Sequence, residues 1–203
     1  MSKKQDLRVT RTRLHLKEAL LELISEIGYE AITIQKIADR ALINRATFYL
    51  HYKDKYDLLD TVCTDIFNNL SKSIKPCKYV QQKTVKLNTF ENTIEAIFNE
   101  ISKNRKFFMI MLSVESGNAF RFDLQTVIKE KFDSEFSNYG FNEKELAIPP
   151  NLLTTFISSA LVGTIKWWLE EGSHIALTVI TKETVKLYAF GPLKTAGFTI
   201  IDS

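Results

Sequence analysis

Leu16, Leu20, Leu23, Ile24 and Ile27 recur at helical spacing and make one apolar stripe, which predicts a first helix from about Leu7 to Ile27. Gly28 follows as its stop. Thr33 is a cap for a second helix, with Ile32 before the cap and Ile37 after it forming a hydrophobic staple and Ala38 and Ala41 continuing the buried side. Asn44 caps a short third helix, Arg45 to about His51. Asp54 and Asp57 open a fourth, which carries Leu59, Val62, Ile66 and Leu70 and is closed by Pro76. The stretch "PCKYVQQKTVKLN" has no clear stripe and reads as a connection.

Beyond it, helical patterns return over about 90–103, 105–115, 120–138, 151–171 and 178–190, interrupted at Gly140, Pro149 and Pro150, Gly172, and Gly191 with Pro192. The fold expected is all-α, with an N-terminal three-helix domain over residues 1–53 and a C-terminal helical domain over 54–203. The closing "AGFTIIDS" is short and β-branched and has no assignment.

Composition changes this picture little. A chain of 203 residues, 45% hydrophobic, can bury a sizeable core. A net charge of +3 is too small to argue for nucleic acid by itself, but the first twenty residues hold six bases against two acids, an asymmetry that favours a polyanion. Cys63 and Cys77 lack metal spacing and read as reduced thiols. The basic N-terminus lacks a following apolar region, so no secretory signal is expected. "LLTTFISSALVGTIKWWL" is long enough to span a bilayer, yet six polar residues, Lys166 among them, favour a soluble helix and a cytoplasmic protein without a membrane partner.

The chemistry concentrates in "LINRATFYLHYKDK". Two short helices joined by a tight turn after a longer one make a helix-turn-helix pattern. Phe48 and Tyr52 are four apart and face the small core of Ile24, Ile37, Ala38 and Ala41, while Arg45 and Tyr49, also four apart, project elsewhere. Ala46 and Thr47 lie at the N-terminal end of the third helix, where base edges are read and methyl-bearing side chains suit thymine. Arg45 suits guanine. Tyr49, His51, Lys53 and Lys55 are the expected phosphate contacts. Lys36 and Lys55 sit at helix starts, where the dipole disfavours a cation unless an anion binds there too. No nucleophile–base pair, metal cluster or phosphate loop is visible, so neither catalysis nor a cofactor or metal is expected.

The run "GYEAITIQKIADRALINRATFYLHYKDKYDLL" resembles the DNA-binding domain of TetR-family transcriptional regulators over about fifty residues, through "GY", the capped "T-I-x-x-I-A", "T-F-Y-x-H-Y" and the opening of helix four. Leu42 departs from the pattern, since the family usually has glycine in this turn. The resemblance implies phosphate contacts from Thr33, Tyr49, His51 and Lys55, base contacts from Gln35, Arg45, Ala46 and Thr47, and a basic arm ahead of helix one. "IKWWLEEG" resembles the end of the penultimate helix in a low-GC Gram-positive subgroup that includes the activator of dihydroxyacetone kinase genes.

The TetR resemblance also implies that residues 1–53 are a helix-turn-helix DNA-binding domain and residues 54–203 a regulatory and dimerisation domain, with a homodimer built from helix 151–171 and the last helix. Small residues 158–160, 163 and 164 allow close approach, and Ser159, Gly163, Trp167 and Tyr188 are interface candidates. A palindromic double-stranded operator follows from two-fold symmetry. Phe98, Met109, Phe132 and Phe156 are the candidates for lining an effector pocket. The function expected is a repressor modulated by a small molecule or a partner protein. The alternatives are an activator controlled by a partner protein, or a helical scaffold that does not bind DNA.

Overall fold

A computed structural model describes residues 3–74, 80–81, 84–113, 118–138 and 146–201. Ten helices appear among them: α1 (Lys3–Ile27), α2 (Ile34–Arg40), α3 (Arg45–Tyr49), α4 (Lys55–Ser73), α5 (Leu87–Lys103), α6 (Arg105–Ser113), α7 (Asn118–Asn138), α8 (Pro150–Glu170), α9 (Leu177–Phe190) and α10 (Pro192–Thr195). One antiparallel pair, β1 (Val80–Gln81) with β2 (Thr84–Val85), falls in the segment expected to be a plain connection. Pro76, Cys77 and Gly140 lie outside the described residues. The chain divides into two compact units, 1–66 and 67–203.

In the first unit, Leu16, Leu20, Leu23 and Ile24 of α1 are buried as their spacing predicts, but Ile27 at the end of the stripe is 41% exposed. Helix α1 begins four residues earlier than expected, so Lys3 and Lys4, read as part of a basic arm, stand on the helix with the bases from Arg8 to Lys17. Gly28 ends α1 at φ +73°, a left-handed conformation that costs glycine nothing. Ile32 and Ile37 are both buried, the staple read from the sequence. Leu58, Val62 and Ile66 of α4 are buried as well. The first unit therefore extends through Ile66, whereas a division at 53/54 assigns all of α4 to the second domain.

Leu42 solves the turn between α2 and α3 without glycine. Its φ is +55°. The amide of Leu42 donates to the Asp39 carbonyl and that of Ile43 to the Ala38 carbonyl, a Schellman closure that satisfies two orphan acceptors of α2. The side chain is 92% exposed and contributes nothing to the core.

The second unit is organised by aromatic rings. Phe98 meets Trp168 edge-on at 5.4 Å, Phe90 meets both Phe132 and Tyr188, and Phe107, Phe108 and Phe120 cluster together. Burying each such ring favours the fold by roughly 1.5–3 kcal/mol. Glu100 is buried, and its carboxylate accepts from Lys103 Nζ and Asn104 Nδ2, so the charge is not left bare. Helix α8 is long and apolar enough to cross a bilayer by length and composition. Ile157, Leu161, Val162, Ile165, Trp168 and Leu169 bury one side of it in the unit's own core. Arg105 donates to the Leu169 carbonyl at 2.8 Å and lies over the Trp168 ring, closing its C-terminal end.

Candidate nucleic-acid interface

Helix α3 has only five residues, too few to hold itself together in water, so its neighbours must define it. Asn44 caps it: the side chain accepts from the Ala46 amide at 2.8 Å. Phe48 anchors it from within at 0% exposure, tilted against Tyr52, which is 6% exposed. Tyr52 is desolvated there, which raises its phenol above the usual range. With that side committed to Ile37, Ala38 and Ala41, the opposite side must face out. Arg45, Ala46 and Tyr49 are exposed and Thr47 is half-buried.

Arg45 donates to the Tyr49 hydroxyl at 3.1 Å, and its guanidinium lies 5.6 Å from the centre of that ring. This i,i+4 contact preorders both side chains as one donor-rich strip. Leu50 stands beside Ala46 on the same exposed side and is itself 81% exposed, a residue that the motif spacing did not single out.

Around this helix the other expected residues divide. Thr33 accepts from the Lys36 amide at 3.3 Å as a cap, and Gln35 donates to Asp39 at 2.7 Å along the exposed side of α2. Lys53 is exposed, its amide donating to Asp57. His51 is half-buried, and desolvation together with the nearby Arg13 guanidinium lowers its pKa, so the ring is neutral at pH 7. Arg13 is a partner that the sequence counted among the bases without placing it.

Lys36 and Lys55 do not wait for an anion as their helix-start positions suggested. Lys36 Nζ donates to the Ala31 carbonyl at 3.0 Å; Lys55 Nζ donates to those of Tyr29 and Glu30 and lies 4.7 Å from the Tyr29 ring centre. Carbonyls of the segment between α1 and α2 thus supply the negative end that the dipole denies them. Tyr29, packed edge-on against Tyr56, has its phenol pushed up to about 12, chiefly by burial. Arg40, which the sequence reading passed over, grips Glu26 through two bonds of 2.8 and 2.6 Å and Glu22 through a third of 3.3 Å, tying α2 to α1 in a bidentate fork.

The second unit presents a different surface. Along α8, Leu152, Phe156, Ser159, Gly163 and Trp167 are exposed at steps of four and three residues, which is one face of the helix. A groove of about 540 Å³ opens beside it, walled mainly by Gly163, Trp167, Ile175, Val179, Ile180 and Leu187. Ser159 accepts from Gln125 at 2.9 Å. Tyr188 is turned inward: its hydroxyl donates to the Ile157 carbonyl at 2.7 Å and burial raises its pKa, so Leu187 takes the outward place expected of it. The four pocket candidates do not share an environment. Phe98 and Phe132 are sealed in the core, whereas Met109 and Phe156 are 38% and 57% exposed. Among the described residues no cluster of three metal-ligating side chains occurs.

Comparison with known proteins places both units. Residues 16–62 match the model of bacterial regulatory proteins of the tetR family, and residues 88–188 match a transcriptional regulator C-terminal region. The HTH-type transcriptional regulator YxbF of Bacillus subtilis strain 168, itself uncharacterized, is 24% identical over 172 residues; the match covers 85% of this chain but only 43% of that relative's length. Two solved structures share the fold. A FadR regulator from Bacillus subtilis in complex with stearoyl-CoA superposes with a TM-score of 0.61 at 16% identity, over 88% of this chain and 98% of that one. The dihydroxyacetone kinase operon activator DhaS superposes at 0.60 with 15% identity, over 87% and 93%. With a capped, inwardly anchored recognition helix at one end and a matching regulatory region at the other, the chain belongs to the TetR family of transcriptional regulators.

Proposed function

We propose that this protein is a homodimeric, sequence-specific DNA-binding regulator, most simply a repressor, in which α3 enters the major groove of each half of a palindromic operator. The observation that carries the reading is the two-sidedness of α3, with Phe48 at 0% exposure and the joined Arg45–Tyr49 strip outside. Arg45, Ala46 and Thr47 then meet base edges. Gln35 joins them from the exposed side of α2, and Thr33, Tyr49, His51 and Lys53 flank them on the sugar–phosphate chains. Lys36 and Lys55 act by fixing the segment between α1 and α2, their ammonium groups remaining near enough to its surface to add positive potential.

The exposed face of α8 with its groove is the dimerisation surface, since an apolar recess on a soluble chain is covered by a partner. An effector, whether a small molecule or a protein, acts on the second unit and alters the pairing of the DNA-binding heads. The stearoyl-CoA carried by the FadR neighbour makes an acyl thioester the first small molecule to test. The protein works in the cytoplasm.

Selection of bound duplexes from a random library, followed by gel-shift titration, tests this reading. Arg45→Ala with Tyr49→Ala should weaken the selected site about thirtyfold while the melting curve stays nearly unchanged, because the Arg45 base contact contributes about 1–3 kcal/mol and the lost Tyr49 phosphate contact adds to it. Equal affinity for selected and random duplexes, or an unaltered affinity in the double variant, would overturn it.

A further inference from the structure

Exposed leucines are common on soluble chains, and most need no partner. Leu50 differs in where α3 puts it. The backbone stays helical through Tyr52: Leu50 has φ −73° and ψ −17°, and the amides of His51 and Tyr52 both donate to the Phe48 carbonyl. Side chains therefore keep stepping round the axis by about 100° each. Phe48 and Tyr52 are buried on one side, and the position that falls about 180° from the midpoint between them is Leu50, at 81% exposure. Ala46, exposed, lies one turn before it and about 40° round the axis. The bonded pair Arg45 and Tyr49 flanks this line on one side, and Thr47 and His51 flank it on the other. The centre of the outward side is thus apolar.

That centre is a poor match for most of what the major groove offers. Base edges there carry acceptors on guanine and adenine, amino donors on adenine and cytosine, and a single apolar group, the C5 methyl of thymine. Leu50 can bond none of the polar atoms. Over a guanine, adenine or cytosine edge its side chain would strip water from a donor or acceptor and return no hydrogen bond. Over a thymine methyl, two apolar groups leave water together.

We propose that Leu50 fixes one position of each operator half-site as thymine, packing its side chain on the C5 methyl, with the Ala46 methyl extending the same apolar line. The inference rests on the reading of α3 as the helix in the major groove and adds a determinant of opposite chemistry to Arg45. Arg45 selects by forming hydrogen bonds, Leu50 by excluding water, so one contact rewards the right base and the other penalises the wrong ones.

Deoxyuridine replacement gives the test, because uracil keeps every hydrogen-bonding group of thymine and lacks only the methyl. Each thymine of the duplex selected by the wild-type chain is replaced in turn, and affinity is read by fluorescence anisotropy. At one position in a half-site, uracil should weaken wild-type binding about fourfold, the effect of one buried methyl. Leu50→Ala should bind the thymine duplex more weakly by about fourfold or more and show no further loss with uracil at that position. Its melting curve should match the wild type, since the side chain is mostly exposed. A wild-type chain indifferent to uracil at every thymine, or a Leu50→Ala chain that keeps the full uracil penalty, overturns the thymine contact and leaves the groove reading intact. A wild-type chain that binds selected and random duplexes alike overturns both.

Discussion

Leu42 offers the sharpest test of the local physics, because its backbone and its side chain make opposite demands. At φ +55° an L-residue with a Cβ is strained by roughly 1–2 kcal/mol relative to glycine. Replacing it by glycine relieves that strain but loosens the unfolded chain, a loss of about 0.4–1 kcal/mol. No burial is forfeited, since the side chain is 92% exposed. The balance favours Leu42→Gly by about 0.5–1 kcal/mol, or about 2 °C in melting temperature for a chain of this size. Leu42→Ala is the control: it keeps the Cβ and the strain, and should stay within about 0.5 kcal/mol of the parent. Urea titration followed by circular dichroism measures both. If alanine stabilised as much as glycine, strain would not be the cause. If glycine destabilised, the leucine side chain would be making a contact that its exposure denies.

Two further outcomes follow from the recognition helix. Asn44→Ala removes the side-chain acceptor for the Ala46 amide and should cost about 1 kcal/mol in urea titration, with a disproportionate loss of DNA affinity because five residues cannot keep their geometry uncapped. His51 should make DNA affinity rise as pH falls. Its folded pKa lies below 6.5, so the free ring is neutral at pH 7, and a phosphate beside it favours the charged form. Binding then takes up a proton, worth at most about tenfold per pH unit. The fold responds with the opposite sign: the depressed value gives a stability contribution present above pH 6.5 and lost as pH falls through the folded value. Fluorescence-anisotropy titrations between pH 8 and 6 should show the affinity trend in the parent and none in His51→Gln.

What the sequence made legible was local and periodic. The caps at Thr33 and Asn44, the staple of Ile32 with Ile37, and the inward pair Phe48 and Tyr52 follow from spacing within a dozen residues, and each is present. What it could not supply was the reach of long side chains. Lys36 and Lys55 looked like cations lacking a counter-charge, yet both ammonium groups find carbonyls of residues 29–31, one of them across 26 positions of chain. Tyr188 sits on an apolar helix at a spacing suited to an interface, but its hydroxyl needs an acceptor and finds one in α8. Among Phe98, Met109, Phe132 and Phe156 residue type alone could not separate sealed rings from exposed ones. Arg13 and Leu50 received no role from the sequence, since one was only counted among the bases and acts from another helix, and the other fills the unspecified place of its motif and gains meaning only from where α3 leaves it.

That α3 is held by a single interior ring and one cap has a consequence for how such a protein diverges. The side chains at positions 45, 46, 49 and 50 are exposed and fill none of the core, so exchanging them costs the fold little beyond the Arg45–Tyr49 bond and the edge contact of Tyr49 with Phe48. On the proposed reading, preference for a nucleotide sequence is then a separable trait, able to drift or be reprogrammed by randomising four codons while the scaffold beneath stays nearly as it is.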